Sequence, residues 1–580
     1  HHGFVLLRRD ASVSALIVLV LALGIGGNTA TFTLLKAAFL DPLPYPQSEN
    51  LVTIVEDLGK TSWNPSVAEF LEILARTRTL EQIAFAEHRD MQLTGTEEPV
   101  RVFAARVTAS FFTLLGTQAS LGRTLLEEDN QPRRTPAIVV SDAFWRKRMG
   151  TDPDAVGTTL RLDGNPALVV GVLPRGFHFD YPTLGIPEQV DIYVSSPIES
   201  VAVLHTTGSG RGDPLRVLAR IRQGFTYAQA ASELQTIGHA LVREFPLEYR
   251  GRAGGPSRFT FKTIPLREAI VGTQRPLLWL LVGGATVLLM IACANTAQLL
   301  LARSLRRGRE VAIRTALGAS RFRLIRQFLL EGMVLAAVGG AAGLLLSAWT
   351  ISLLISVLPV RSPLLESANL DLTVVAFTLA VSLISALAFA SLPAVKGSKW
   401  TPGPSLSARP ATGEGNRWRH AMIALQAALS VFLLCSAGLV SQNFLALISA
   451  PLGFDPTHLL TMQLKLPSGA QNAVDQKAGL AFQQYVEKIT AIPGVDSAAT
   501  VTGPPLRPAR GGPVELAGQT DSTGALRSVV AMTHQVSPDY FRTLRIPVLA
   551  GRNFNRSDAG SQVTVAIVNQ EFARRFGLGS

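Results

Sequence analysis

Residues 299–332 read LLLARSLRRGREVAIRTALGASRFRLIRQFLLEG. On either side the chain is apolar: Pro276 to Ala302 and Gly332 to Val360 contain no Asp, Glu, Lys or Arg. Each exceeds the roughly 20 residues that carry a helix across a bilayer, so both read as membrane spans and the stretch between them lies at a membrane face. The linker proper, 303–326, carries Arg303, Arg306, Arg307, Arg309, Arg314, Arg321, Arg323 and Arg326 against one acid, Glu310. An arginine excess in a short loop marks the cytoplasmic side, and this one assignment orients the rest of the chain.

Within the linker Val311, Ile313, Leu317, Phe322, Leu324 and Ile325 alternate with the arginines, and Ala312 to Ala319 reads as a short helix with Gly318 in its C-cap region. A basic amphipathic helix held between two spans suits two roles. It can press its apolar face on another protein, or it can lie on the membrane with its arginines among acidic lipid headgroups.

The run REVAIRTALGASRFRLIRQFLLEG, continuing through Gly339, Gly340 and Gly343, resembles the linker of the FtsX-like permease family, the membrane subunits of MacB-type ABC systems. The resemblance implies that the short helix is the element touching a cytoplasmic ATPase, with Arg309, Glu310, Val311, Ile313, Arg314, Leu317 and Gly318 at the interface. It also implies that any ATP and magnesium are held by that partner chain, since this sequence contains no G-x-x-x-x-G-K-[ST].

The composition agrees with a membrane protein. Of 580 residues, 47% are hydrophobic and only 17% charged, and the mean hydropathy is +0.27. A net charge of +12 raises the question of nucleic acid, but the basic residues crowd into short loops beside apolar spans, where topology accounts for them. Cys293 and Cys435 both fall inside spans and read as small helix-packing residues; they leave the exposed domains no disulfide framework.

Taken in order, residues 1–40 form a cytoplasmic tail, marked by Arg8 and Arg9, and a first span from Ala11 to Leu35 containing Gly24, Gly26 and Gly27. LALGIGGNTATF followed by LDPLPYP resembles the first span of the duplicated permeases, a MacB-like group common in acidobacterial genomes. Residues 41–274 hold no run long enough to span and read as an outer domain of two lobes. One lobe is a two-layer α/β unit built from both ends of the segment: a strand at Leu51 to Val55, a helix capped by Asn64 and Pro65, a strand at Leu215 to Ile221, a helix at Tyr227 to Phe245 and a strand at Phe259 to Ile264. A second lobe at about 107–205 is inserted into it, with a strand and helix at Ile138 to Met149 and a hairpin turning at Asp163-Gly164-Asn165. This order resembles the MacB-like periplasmic core domain.

Residues 275–400 then make a permease unit of three spans around the linker 303–326, the last of them Leu372 to Val395. A basic cytoplasmic segment at 401–420 and a fifth span at 421–449 lead into a second outer domain at 450–580. That domain repeats the first: HQVSPDYFRTLRIPVLAGRNF aligns with ARVTASFFTLLGTQASLGRTL, setting Val536 on Val107, Phe541 on Phe112, Leu544 on Leu115, Gly551 on Gly122 and Arg552 on Arg123. VAIVNQEFARRFG likewise follows AIVVSDAFWRKRMG. The fold expected is therefore an α-helical membrane protein with two-lobed α/β outer domains, duplicated, its second half truncated.

No catalytic constellation accompanies this architecture. The histidines show no H-E-x-x-H or zinc spacing, and no G-x-S-x-G elbow occurs. Arg211-Gly212-Asp213 and the acidic run Glu127, Glu128, Asp129 read as polar loops, and no buried ion pair or relay acid is visible inside the spans. The expectation is a non-enzymatic permease subunit of a bacterial inner membrane. Its expected partners are a cytoplasmic ABC ATPase, membrane lipid, a second permease half in a dimer-like assembly, and a periplasmic adaptor or substrate. A scaffold or signalling protein whose outer domains bind an envelope partner is the other reading.

Overall fold

The computed structural model describes residues 11–577 except 58, 60–61, 96–98, 132–133, 180, 185, 187–188, 197–214, 246–248, 250–258, 273–274, 307–320, 358–367, 398–413, 463, 465–475, 504–509, 521–525 and 561–564. Helix α1 (Ala11–Leu35) runs into a π-turn, Lys36–Leu40. A sheet domain follows in the order β1 (Leu51–Asp57), β2 (Ser62–Trp63), α2 (Val67–Arg76), β3 (Leu80–Thr94), β4 (Val100–Val107), α3 (Ser110–Leu114), β5 (Leu121–Gly122), β6 (Ala137–Val140), α4 (Asp142–Arg148), β7 (Thr159–Leu162), β8 (Asn165–Val172), β9 (Ile192–Ser195), β10 (Arg216–Ile221), α5 (Tyr227–Glu244), β11 (Thr260–Pro265) and α6 (Leu266–Val271).

The first lobe is the antiparallel set β11-β1-β10-β3 with α2 and α5 on one face. Val52, Ile54, Val217 and Phe261 alternate on the strands and meet Phe70 and Ile73 of α2 and Leu234 and Leu241 of α5, all buried. The expected α/β layering therefore holds, but the cap of α2 moves. Ser66, not Asn64 and Pro65, caps the helix: its hydroxyl accepts from the Glu69 amide at 3.3 Å while the Glu69 carboxylate accepts from the Ser66 amide at 2.7 Å. The Ser-x-x-Glu pair satisfies two end amides at once, which Asn64 cannot do. Asn64 instead accepts from the Arg216 guanidinium.

The second lobe differs from the expected insertion. β7 pairs with both β8 and β3, so β3, β4, β9, β6, β8 and β7 close into a ring of six strands. Val102, Ala104, Ile138, Val140, Leu162, Val169 and Ile192 pack together in one core, with Phe144 of α4. The lobes share one sheet because β3, at 15 residues, is long enough to serve both: Ala86 faces Arg216 of β10, and farther along Leu93 faces Leu162 of β7. The second lobe thus begins at β3 rather than near residue 107. Its hairpin turns as read, with Asp163 and Gly164 at φ of 51° and 82°.

Glu233 of α5 ties the first lobe's connections together. Its carboxylate accepts from the Thr77 hydroxyl at 2.9 Å, the Arg78 amide at 2.9 Å and the Thr79 amide at 3.0 Å. Burial pushes this carboxyl up, but the bonds from Thr79, Arg78 and Thr77 outweigh it and hold the group below the usual glutamate range. A carboxylate depressed in the fold contributes stability that is complete above its unfolded value near 4.3 and is lost as pH falls through the folded value. Glu233→Ala is expected to cost about 2 kcal/mol at neutral pH and to flatten the acid limb of a melting-temperature profile, while leaving wild type and variant alike at the acid end.

Four further long helices follow: α7 (Arg275–Arg306), α8 (Arg321–Val357), α9 (Leu372–Gly397) and α10 (Glu414–Ile448). With α1 they are the five helices among the described residues long and apolar enough to cross a membrane. Ile17, Leu21, Ile25, Ala297, Leu335, Ala386 and Phe389 from α1, α7, α8 and α9 form a shared core. α10 stands largely exposed, and so does its Cys435, whereas Cys293 is half-buried in α7. Of the two cysteines expected to pack between helices, only Cys293 does.

Candidate functional site

The residues expected to meet an ATPase, Arg309, Glu310, Val311, Ile313, Arg314, Leu317 and Gly318, lie outside the described residues, as does Arg211-Gly212-Asp213. What is described is everything the linker is attached to. Phe322, Arg323 and Arg326, on the first turns of α8, are exposed. Arg303, counted from sequence among the headgroup arginines, is not. It is buried, 3.6 Å from Glu331 of α8 and 3.3 Å from the Ser14 hydroxyl of α1. This corrects the expectation that the spans hold no buried ion pair. The two residues flank the linker in sequence, and they become partners because α7 and α8 both pack on α1.

Farther along the bundle, backbones touch. A Cβ placed on Gly26 of α1 would fall 2.8 Å from the carbonyl oxygen of Gly343 on α8, and one on Gly339 would fall 2.8 Å from the Leu21 side chain. Small residues permit this approach, the main source of helix attraction in lipid. Gly27, read alongside them, has nothing within 4 Å. Polar groups fasten the same region: Asn28 donates to the Ala285 carbonyl of α7 at 2.7 Å, and the Thr29 and Thr378 hydroxyls of α1 and α9 lie 3.0 Å apart.

At the opposite end of the bundle Lys36, in the π-turn, reaches Asp41 at 2.6 Å and Asp371, just before α9, at 2.9 Å. The Lys36 ammonium, with the Val374 amide, holds the Asp371 carboxyl below its ordinary range. Beyond this staple one apolar core runs from helix ends to sheet without a break. Leu34 and Ala38 of the first span, Leu278 of α7 and Ile351 of α8 belong to the same buried cluster as Leu51, Ala86, Val107, Phe111, Phe112, Tyr193 and Leu218. Arg220 of β10 locks the joint: buried, it donates to the carbonyls of Pro46 at 2.8 Å, Gln47 at 3.1 Å and Leu114 at 2.5 Å. Burial pushes its guanidinium below the usual arginine value.

Sequence reasoning missed Ser14, Glu331, Lys36, Asp371 and Arg220. Lys36 carried a usable signal, as the one charge between Asp10 and Asp41. Glu331 sat inside the decisive stretch, where an acid beside a span reads as a flank.

The acidic run is a loop, as read, with Glu128 in solvent, but its Asp129 is largely buried. Asp129 takes Arg123 at 2.6 and 3.0 Å and the Leu126 amide at 2.8 Å. The same loop recurs in the second segment, where Asp558 takes Arg552 at 2.7 Å through both nitrogens and the Asn555 amide at 2.8 Å. Arg552, with the Asn555 amide, holds the Asp558 carboxyl down to about 2. Gly122 and Gly551, aligned by sequence, both have positive φ, 69° and 83°. Such backbone suits glycine, and on Gly122 a Cβ would meet the Val170 carbonyl oxygen at 2.3 Å.

The MacB-like periplasmic core domain family matches residues 14–237 and 421–580, and the FtsX-like permease C-terminal family matches residues 282–398. A macrolide export ATP-binding/permease protein MacB of Hahella chejuensis is 26% identical over 352 residues, covering 59% of this chain and 48% of that protein. The protein of that name in Escherichia coli K12 is 27% identical over 267 residues, covering 45% and 37%. The chain thus spans about half, or less, of the length of the curated relatives it matches. Among solved structures, the periplasmic region of MacB from Actinobacillus actinomycetemcomitans is 13% identical, with a TM-score of 0.26 over 40% of this chain and 94% of that one. The extracellular domain of the ABC-type transporter YknZ is 14% identical, with a TM-score of 0.26 over 37% of this chain and all of that one. Because the periplasmic core family covers more than half of the sequence and the FtsX-like family covers the linker with its flanking spans, the chain belongs to the MacB/FtsX-like permease family.

Proposed function

We propose that this chain is the membrane subunit of an ABC-type transport or mechanotransmission system of the bacterial inner membrane, passing the motion of a separate cytoplasmic ATPase to its periplasmic domains. The observation that carries this reading is the unbroken core joining the outer ends of α1, α7 and α8 to the sheet. A domain hung on flexible tethers would not follow a movement of the spans, whereas one packed into their ends must. ATP and magnesium belong to the partner chain, and the recurrence of the Arg123 and Arg552 loops supports a duplicated architecture in which two permease halves pair. A periplasmic adaptor or substrate would engage the outer lobes. A scaffold that only binds an envelope partner would need no such stiff connection to a linker on the opposite side.

The linker helix would dock through Val311, Ile313 and Leu317, with Arg309, Glu310 and Arg314 setting register and Gly318 ending the helix. Buried apolar anchors carry most of an interface's affinity, and rim charges act more on encounter. Leu317→Asp is therefore expected to weaken ATPase binding about 30-fold, the equivalent of ~2 kcal/mol, and to abolish permease-stimulated hydrolysis in reconstituted membranes while leaving the protein inserted. Stimulated hydrolysis unchanged in that variant would assign the helix to the lipid surface instead. In that case removal of several arginines together should have the larger effect.

A further inference from the structure

We infer that Arg303, Glu331 and Ser14 form a positioning clasp that makes the three helices at the linker's base move as one. This rests on the coupling reading above and adds which residues hand the motion over. Arg303 lies close to the last turn of α7 before the linker, Glu331 stands on α8 just after it, and Ser14 sits on the opening turns of α1. One guanidinium nitrogen, Nη1, lies 3.6 Å from the Glu331 carboxylate and 3.3 Å from the Ser14 hydroxyl. The arginine side chain is 8% exposed and the glutamate 12%. Both ends of the linker are thereby fastened to each other and to the first span.

Stability alone does not account for charge at this place. Ile17, Leu300 and Leu335 form the apolar core beside the clasp, and a matched apolar pair would pack there without the cost of desolvating two ions. What an ion pair adds is a fixed register: two apolar side chains slide past each other with little change in energy, whereas a buried carboxylate and guanidinium hold one alignment or leave charges unpaired. The alignment matters because α1 is the helix that continues through the Lys36 turn into the sheet domain, while the linker joins α7 to α8. Lower in the bundle, the contact of Gly26 with Gly343 holds α1 against α8. The clasp sets that pair in step with α7 at the end where the push would arrive.

The test uses the full chain in nanodiscs, with spin labels at the exposed positions Leu16 of α1 and Leu330 of α8, in four backgrounds: wild type, Glu331→Gln, the apolar pair Arg303→Met with Glu331→Leu, and the swap Arg303→Glu with Glu331→Arg. Without any ATPase, the label separation is expected to be single and narrow in wild type and in the swap, and broadened about twofold in Glu331→Gln and in the apolar pair. With the ATPase present, stimulated hydrolysis should fall about tenfold in those two variants and recover in the swap. The apolar pair should nevertheless melt at or above the wild-type temperature, which separates register from stability. An apolar pair that matches wild type in label separation would overturn the clasp, since packing would then suffice. Absent stimulation in wild type would sink the coupling reading, and the label separations would still decide the clasp.

Discussion

Gly343→Leu is expected to drive α1 and α8 apart and to leave a chain that inserts but no longer couples. The Gly343 Cα faces the amide nitrogen of Gly26, which a Cβ would approach to 3.0 Å, and the Ala22 carbonyl oxygen, at 3.1 Å. Backbone cannot step aside as a flexible side chain can, so the helices must separate. Overpacking of this kind costs about 3 kcal/mol. The loss also removes the close backbone contact that holds helices together where both faces are already apolar. Gly27→Leu on α1, next to Gly26, is the control, since nothing lies within 4 Å of that position. Denaturant titration of the detergent-solubilised chain, with ATPase stimulation measured in parallel, checks the expectation. Equal behaviour of the two leucine variants would mean that the Gly26 contact is not what joins α1 to α8.

Phe111→Ala is expected to have the largest effect on the outer domain. Phe111 is fully buried, with its ring centroid 5.4 Å from Phe112, 5.0 Å from Phe179 and 5.9 Å from Tyr193. These aromatics join the ring of six strands to the helix ends in the continuous core. Truncation loses the transfer energy of the ring and leaves a cavity that a close-packed cluster cannot collapse, about 4 kcal/mol in all. For a domain of this size that corresponds to a fall of roughly 10 °C in melting temperature. Because the cluster includes Leu34, Ala38 and Ile351 of the spans, the variant should also transmit less at permissive temperature. A melting temperature within a degree of wild type would show that the cluster does not carry the joint. Phe111→Leu, keeping most of the volume, should fall between the two.

The five long apolar helices and strands β1, β10 and β11 of the first lobe were legible in order because each depends on a local pattern. An uncharged run such as Pro276 to Ala302 must leave water whatever its neighbours do, and strand β10 shows a short apolar run, Val217-Leu218-Ala219, buried throughout. The likeness of the two arginine loops was legible for a similar reason: Gly122 and Gly551 need positive φ and Arg123 and Arg552 need their aspartates, requirements met within a few residues of chain. Tertiary structure alone decided the closing of the six-stranded ring, since β7 can meet β3 only once both are placed, and Leu162 carries no mark naming Leu93 as its partner. It alone turned Arg303 from a headgroup arginine into half of a buried pair, and brought Lys36 to Asp371. Charge beside a span has one meaning in a hydropathy pattern and two in space. Whether an ion faces lipid headgroups or another helix depends on which helix returns beside it, and that is set by distant contacts such as Gly26 on Gly343, which neither local sequence contains.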